Sequence, residues 1–129
     1  MRLRQGATRA ASPRAAATDV EAVVTMVPND KVLREVTCNS ATGLLQSLRG
    51  VHLSCSTVHP DVSRELAALH AQAGSSYVGA PIFARADGVA QRLASFCVGG
   101  AADAVERVLP LLEVRTRAVG AGRAVWGRG

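Results

Sequence analysis

The sequence predicts an α/β fold built on a mainly parallel sheet. The short apolar run from Val20 to Val27 has the composition of a buried parallel strand, and a second apolar run, Val51 to Cys55, is also predicted to be a strand. Each run is followed by a segment of helical periodicity, and strand-like and helix-like segments keep alternating along the chain. Because consecutive parallel strands need a crossover, this alternation favours helices that pack on the sheet through right-handed connections.

The helix after the first strand begins near Pro28, where Asn29 or Asp30 can cap it. Its apolar side chains recur at helical spacing: Val32, Leu33 and Val36. A polar loop from 38 to 43 follows, and then one or two leucine-rich helical turns. We predict that Gly50 closes these turns in the left-handed conformation that glycine favours.

The helix after the second strand has the clearest signals in the chain. Pro60 suits a first helical position, and Asp61 and Glu65 favour the positive end of the helix dipole. Gly74 is placed to end the helix as a left-handed cap. The apolar stripe predicted to face the core consists of Val62, Leu66, Leu69 and Ala73.

Four more elements follow, and they extend the alternation. Strands are predicted over Tyr77 to Ile82, Leu93 to Val98 and Arg115 to Val119. A helix precedes the last of them, with an apolar face of Val105, Val108, Leu109 and Leu112. Pro110 lies inside this pattern, and an interior proline costs about 3 kcal/mol, so we expect it to bend or shorten the helix.

Composition excludes several classes of function. Apolar residues make up 48% of the 129-residue chain, which is enough for one domain with a core. No apolar run approaches the roughly 20 residues of a membrane span, so we expect no membrane partner. The net charge of +5 comes from the acid-free ends, 1–18 and 114–129, because the segment between them holds seven basic and ten acidic residues. A nucleic-acid-binding domain would carry its basic patch on the folded body, and we therefore expect no nucleic-acid partner.

Three segments, taken in order and spacing, resemble the cofactor domain of the β-hydroxyacid dehydrogenases. The segments are Thr25-Met26-Val27-Pro28-Asn29-Asp30, Ser56-Thr57-Val58-His59-Pro60 and Gly79-Ala80-Pro81-Ile82-Phe83. That family includes 3-hydroxyisobutyrate dehydrogenase and is related to 6-phosphogluconate dehydrogenase. The resemblance implies a doubly wound, Rossmann-type domain that binds NAD or NADP, with no preference readable. It also implies hydride transfer on a small hydroxyacid, semialdehyde or related carbonyl, in a parent enzyme that we expect to be a homo-oligomer.

The same resemblance implies four cofactor-binding residues. Val27 and Pro28 match the loop that packs near the adenosine half of the dinucleotide, and Val32 matches a helix position that lines the same site. Thr57 matches the threonine that contacts the nicotinamide side. In a doubly wound sheet ligands bind at the carboxyl ends of strands, which is where these residues fall. The alternative is that the first three are ordinary packing residues and that Thr57 caps a helix.

The substrate loop departs from the family pattern. Phe83, Ala84 and Arg85 stand where the family has Ser-Gly-Gly, whose hydroxyl and amides receive the substrate carboxylate. Phenylalanine cannot donate that hydrogen bond, whereas Arg85 could clamp an anion through two parallel bonds. The alternative for Arg85 is a solvent-exposed loop charge.

Two pieces of the family's machinery lack a counterpart in these residues. Two GxG patterns occur, Gly120-Ala121-Gly122 and Gly127-Arg128-Gly129. The first has Val125 where the third glycine of GxGxxG belongs, and we assign no phosphate loop to it. The pattern Gly120-x-Gly122-x-Ala124 resembles the segment that carries the catalytic lysine, but Trp126 stands at the lysine position and cannot act as a general acid or base. We therefore assign no catalytic residue and expect a truncated, inactive form. The alternative is a non-catalytic Rossmann-like interaction module.

The expected organisation has three parts. Residues 1–18 are a basic segment that contains the torn start of the domain, 19–114 a partial NAD(P)-binding domain, and 115–129 a basic tail that begins a missing helical domain. We expect a cytoplasmic protein, with a basic organelle-targeting leader as the alternative. The cysteines, Cys38, Cys55 and Cys97, are scattered and suggest reduced thiols.

One histidine–cysteine cluster has the residue types of a metal site. It consists of His52, Cys55 and His59. Positions 52 and 55 point to opposite faces of a strand, so we predict no metal site there.

Overall fold

A computed structural model describes residues 6–83, 94–113 and 116–120. The strands are β1 (Ala22–Thr25), β2 (Val51–Ser54), β3 (Ser76–Gly79), β4 (Ile82–Phe83), β5 (Ala94–Cys97) and β6 (Thr116–Gly120). The helices are α1 (Pro13–Ala16), α2 (Asp30–Cys38), α3 (Pro60–Ala73) and α4 (Ala102–Glu113). A 3₁₀ turn over Leu44–Gln46 lies between α2 and β2.

The first three strands form a parallel sheet with β2 in the centre. Ala22 of β1 lies beside Val51 of β2, which in turn lies beside Ser76 of β3. All four residues of β2 are buried, because this strand is covered on both faces. The predicted α/β fold with a parallel sheet flanked by helices is therefore confirmed. The prediction that Val20 to Val27 is a buried strand is wrong, because β1 lies at the edge of this three-stranded sheet and Val24 and Met26 are 57% and 60% exposed.

Two apolar layers cover the sheet, because successive residues of a strand point to opposite faces. On one face β2 and β3 pack against α4; this layer contains Val51, Leu53, Cys55, Val78, Ala80, Ala104, Val108 and Leu112. On the other face Tyr77 of β3 packs against α2 and α3. The buried partners of Tyr77 in this second layer are Leu33, Val62 and Leu66. α2 and α3 therefore cover one face of this sheet, and α4 covers the other.

The remaining strands form a second three-stranded sheet in the order β4-β5-β6, with one antiparallel pairing. β4 runs antiparallel to β5, and β5 runs parallel to β6. Gly79 and Gly99 exchange two backbone hydrogen bonds of 2.9 and 2.8 Å, which join β3 to the segment after β5. The strand predicted over Tyr77 to Ile82 is thus wrong in one respect, because it breaks at Pro81, which has no N–H to donate.

Two glycines predicted to be left-handed caps behave differently. Gly74 has φ of 82° and ends α3 as expected. Gly50 is not among the described residues with positive φ, so its predicted left-handed conformation is wrong. Its requirement is steric instead, since a Cβ at this position would lie 1.9 Å from the carbonyl oxygen of Glu21.

The helix faces also differ in detail from the predicted stripes. In α3 the buried residues are Val62, Ser63, Leu66 and His70, whereas Leu69 and Ala73 are half-buried. The buried line therefore follows i, i+4, i+8 and includes a histidine.

In α4 the helix continues through Pro110 to Glu113, so the proline does not end it. No helix in the described ranges combines the length and apolarity that a membrane span needs.

The segment before β1 packs on the body of the domain. Ser12 caps α1 by accepting the N–H of Ala15 at 3.0 Å. Ala17 is 1% exposed and lies in a small cluster with Leu44 and Leu48. The domain boundaries at 18/19 and 114/115 stay predictions.

The position of α4 predicts losses of stability of very different size for two adjacent leucines. Leu112 is 2% exposed, whereas Leu111 is 46% exposed. We expect Leu112→Ala to lower the free energy of unfolding by about 2–5 kcal/mol, because it leaves a cavity in the layer below the sheet. Leu111→Ala should cost less than about 1 kcal/mol. Urea denaturation of both variants checks this, and equal losses would mean that the helix does not keep its register past Pro110.

Candidate functional site

The carboxyl ends of β1 and β2 form the edge at which the predicted cofactor residues lie. The strands are parallel neighbours in register, so the loops that follow them leave the sheet at the same edge. The N–H of Cys55 donates to the carbonyl oxygen of Thr25 at 2.9 Å, which continues the ladder beyond the last strand residues. The two loops therefore start side by side.

Ser56 ties these two loops together. Its Oγ accepts a hydrogen bond from the backbone N–H of Val27 at 2.8 Å, and Ser56 is 6% exposed. A buried backbone N–H in a loop has no ladder partner of its own, so a side-chain acceptor is the means of satisfying it. The bond sets the position of Val27 relative to Thr57, the residue next to Ser56.

Two helices begin at the same edge. Asn29 caps α2 by accepting the N–H of Val32 at 2.9 Å, and His59 Nδ1 caps α3 by accepting the N–H of Asp61 at 3.1 Å. The N–H of His59 donates to Asp30 Oδ1 at 3.2 Å, which joins the start of α3 to the start of α2. Farther along, Arg34 of α2 pairs with Glu65 of α3 at 2.8 Å. The first turns of both helices are thus held together at the edge.

The four predicted cofactor residues are brought to this edge. Val27 is half-buried and packs on the layer between the sheet and the helices α2 and α3, and Pro28 next to it is exposed. Val32 is half-buried in the first turn of α2. Thr57 is exposed, so it is not a buried packing residue. The alternative that Thr57 caps a helix is wrong, because the N-cap of α3 is His59.

The predicted substrate residues are only partly described. Phe83 is the last residue of β4, four residues after the end of β3. The N–H of Ala80, between these strands, donates to the carbonyl oxygen of Ser54 at 2.7 Å, so the chain is still beside the end of β2 at this point. Ala84, Arg85 and Trp126 lie outside the described residues, and their predicted roles stay predictions.

This arrangement agrees with a family-level match over most of the chain. A family model described as the NAD binding domain of 6-phosphogluconate dehydrogenase matches residues 2–123. The chain belongs to this family. It is the domain type found in oxidoreductases of the 3-hydroxyisobutyrate dehydrogenase type, and the resemblance drawn from the three motif segments is thereby confirmed.

Curated relatives cover most of the chain. An uncharacterized oxidoreductase of Bacillus subtilis, YfjR, is 36% identical over 111 residues, which are 84% of this chain and 38% of that protein. A 3-sulfolactaldehyde reductase of Escherichia coli is 32% identical over 110 residues, 84% of this chain and 37% of that protein. The chain thus spans less than two fifths of the length of these relatives.

Solved structures agree on the fold. Psf3 in complex with NADP+ and 2-OPP superposes with a TM-score of 0.85 at 26% identity, covering 90% of this chain and 42% of that one. The 3-hydroxyisobutyrate dehydrogenase of Mycobacterium tuberculosis, solved with L-serine, gives a TM-score of 0.72 at 28% identity over 83% of this chain and 36% of that one.

Sequence reasoning missed two structural features near the edge. Ser56 lies within one of the three motif segments, but the segment alone assigns it no role. Sequence reasoning dismissed His52 as a metal ligand, and the structure places His52 on the α3 side and Cys55 on the α4 side of the sheet, as predicted. What it did not foresee is that His52 meets His70 of α3, with Nδ1 of the first 3.1 Å from Nε2 of the second. The i, i+4, i+8 spacing from Val62 to His70 was the available signal.

The buried side chains have the pKa shifts that burial causes. Burial lowers the pKa of His52 to about 3, and repulsion from His70 adds to this effect. Burial also lowers the pKa of His70, although its bond to the carbonyl oxygen of Leu66 acts in the opposite direction. Burial raises the pKa of the Cys55 thiol to about 11, which keeps it protonated and unreactive at neutral pH.

The tie between the loops predicts a loss of stability in Ser56→Ala. The substitution leaves the N–H of Val27 without its acceptor. A fully buried unpaired donor costs about 1–3 kcal/mol, and because this bond is partly buried we expect a loss of about 1 kcal/mol. Urea denaturation measures that loss, and amide exchange of Val27 should accelerate. Ser40→Ala, in an exposed loop position, is the matched control and should change neither quantity. A Ser56→Ala variant as stable as the parent would show that the bond is dispensable.

The buried histidines predict that stability falls between pH 7 and pH 5. The folded pKa of His52 is about 3, and the unfolded value is 6.5, so the unfolded state binds more protons in this range. The contribution of neutral His52 to the free energy of unfolding is fully present above pH 6.5 and is lost as the pH falls toward 3. At 1.36 kcal/mol per pH unit, His52 alone should cost about 2 kcal/mol at pH 5. Urea denaturation at both pH values tests this, His52→Gln should flatten the dependence, and a parent profile already flat over this range would contradict the assignment.

Proposed function

We propose that the chain supplies the NAD(P)-binding part of an oxidoreductase of the 3-hydroxyisobutyrate dehydrogenase type. The parent protein would transfer a hydride on a small hydroxyacid, semialdehyde or related carbonyl. The observation that carries this is the bond between Ser56 Oγ and the N–H of Val27, which joins the two loops that hold the cofactor residues. Relatives of 31–32% identity support the reaction class, since they are described as a 3-sulfolactaldehyde reductase and an NAD-dependent L-serine dehydrogenase.

The side chains at the edge suit the two ends of a dinucleotide better than its middle. Val27 and Val32 offer half-buried apolar surface for the adenosine half, and the exposed hydroxyl of Thr57 can donate to or accept from the nicotinamide side. The first turns of α2 and α3 carry the carboxylates of Asp30 and Asp61, which offset the positive helix ends and would repel a pyrophosphate. The phosphate-binding role therefore falls to a different part of the parent enzyme.

The nicotinamide ring, when bound, supplies the chemistry by accepting or giving a hydride. The contribution of this chain is to bind and orient that ring through Thr57. The companion task, proton transfer at the substrate oxygen, has no candidate here because Trp126 stands at the lysine position. We propose that the 129 residues alone bind the cofactor without turning over substrate. The choice between NAD and NADP is open, because relatives include an NAD-dependent enzyme and a structure with NADP+.

Calorimetric titration of the purified chain with NADPH, NADH and ADP-ribose tests the proposal. We expect weak, saturable binding of at least one dinucleotide and no oxidation of L-serine or 3-hydroxyisobutyrate. Thr57→Val should weaken dinucleotide binding about fivefold and leave ADP-ribose unaffected, because a neutral hydrogen bond contributes about 1 kcal/mol and ADP-ribose lacks the nicotinamide. Val32→Glu should weaken all three ligands.

Thr42→Val is the matched control for Thr57→Val. Thr42 is also an exposed threonine, but it lies in the loop between α2 and the 3₁₀ turn, and its substitution should leave affinity unchanged. A folded, monodisperse chain that binds neither dinucleotide at millimolar concentration would contradict the proposal. That outcome would favour the interaction module instead.

A further inference from the structure

Four groups form a buried chain of hydrogen bonds from the end of β1 to the middle of α3. Thr25 Oγ1 lies 2.7 Å from His52 Nε2, and His52 Nδ1 lies 3.1 Å from His70 Nε2. His70 Nδ1 completes the chain at 2.6 Å from the carbonyl oxygen of Leu66. Both imidazoles are 0% exposed, so no bulk water competes for these bonds.

The chain has only one direction while both imidazoles are neutral. The carbonyl oxygen of Leu66 can only accept, so His70 Nδ1 must carry the hydrogen and His70 Nε2 must accept. His52 Nδ1 therefore donates to His70, which leaves His52 Nε2 as an acceptor. The hydroxyl of Thr25 then donates to His52. The backbone of α3 thus dictates the orientation of a hydroxyl on β1.

The surroundings of the imidazoles keep them neutral. His52 faces the ring of His70 on α3 and the phenol ring of Tyr77 on β3, with centroids 5.0 and 5.3 Å away. Within the described ranges, neither imidazole is bonded to a carboxylate or to a basic side chain other than the other histidine. A proton added to His70 Nε2 would reverse both bonds between His70 and Thr25, and one added to His52 Nε2 would reverse the bond to Thr25. Either proton would leave a buried charge. The series of hydrogen bonds from Leu66 to Thr25, called the strut below, therefore keeps one orientation at neutral pH.

This strut ends at the strand that leads to the cofactor edge. Thr25 is the last residue of β1, and its carbonyl oxygen accepts the N–H of Cys55 at 2.9 Å. Two residues later the N–H of Val27 donates to Ser56. Fixing Thr25 through both its carbonyl and its hydroxyl therefore fixes the direction in which the chain leaves the sheet toward Val27.

We propose that His52 and His70 are positioning residues for cofactor binding: through the hydroxyl of Thr25 they hold the loop that carries Val27, without touching the cofactor. The inference rests on the proposed function for its ligand but not for its structural readout. It requires that a substitution in α3 changes the hydrogen bonding of the Val27 N–H, although two hydrogen bonds and the end of β1 lie between them.

Amide exchange of the full chain tests the first link. Thr25→Val removes the hydroxyl and keeps the shape, so the N–H of Val27 should exchange about fivefold faster relative to the N–H of Val108 on the opposite layer. The ratio removes any contribution from global unfolding. Thr25→Ser restores the hydroxyl and should return the ratio to within about twofold of the parent. A Thr25→Val variant with an unchanged ratio would overturn the proposal.

A pair of ring substitutions tests transmission from α3. His70→Phe keeps a ring but removes the acceptor for His52, so long-range ¹H–¹⁵N spectra should show that His52 Nδ1 no longer carries the hydrogen alone. Exchange at Val27 should accelerate with it. Tyr77→Phe is the matched control, because it changes the same ring cluster but deletes a hydroxyl that has no hydrogen-bond partner among the described residues. Equal effects of the two substitutions on Val27 would mean general packing, and would overturn the positioning role.

Dinucleotide affinity separates this inference from the proposed function. If the parent chain binds NADH or NADPH, Thr25→Val and His70→Phe should weaken binding about fivefold in protein that is still folded, while Thr25→Ser and Tyr77→Phe stay within about twofold. Unchanged affinity in both disruptive variants would overturn the inference and leave the proposed function intact. If the parent binds neither dinucleotide, the proposed function fails, and the exchange ratios at Val27 still decide whether the strut exists.

Discussion

The central strand β2 imposes the constraint on which the rest of the structure depends. It is paired on both edges and covered on both faces, so every polar group on it must find a partner inside the protein or remain unpaired. Val51 and Leu53, on the α4 side, have no polar atom in their side chains. His52 and Ser54 lie on the α3 side, where their buried polar side chains require hydrogen-bond partners. His52 recruits one partner from each neighbour, Thr25 of β1 and His70 of α3.

The same strand explains why the candidate site lies where it does. Because β1 and β2 are parallel and in register, their loops leave at one edge, and the backbone groups of those loops lose their ladder partners together. Ser56 and Asp30 supply the missing acceptors, for Val27 and His59 respectively. The polar side chains that a loop needs for its own backbone thus also fix the distance between the two halves of the site. Thr57 and Pro28 lie at this edge and are exposed.

Signals that act within one element were readable from the sequence, whereas signals between elements were not. Pro60 and Gly74 bound α3 as predicted, since an N-terminal proline and a left-handed glycine satisfy local rules. The break at Pro81 was readable too, because a proline inside the predicted strand has no N–H to donate. Gly50 was misread because its requirement comes from Glu21, 29 positions earlier in the chain. Of the candidate site, family resemblance supplied Val27, Val32 and Thr57, but the bond that joins their loops depends on a strand register that no periodicity reveals.

The two faces of the sheet stabilise the domain by different physical means. The α4 layer is aliphatic, so its contribution comes from area and close packing and tolerates small shifts of register. The α3 side contains directional hydrogen bonds, together with buried hydroxyls of Ser54 and Tyr77 that have no partner among the described residues. Such groups are costly unless internal water satisfies them, and a polar network of this kind contributes more to a unique arrangement than to total stability. The more specific face is the one that leads to Thr25 and Val27. The precision of the candidate site therefore depends on the polar layer, and the aliphatic layer provides the stability that offsets its cost.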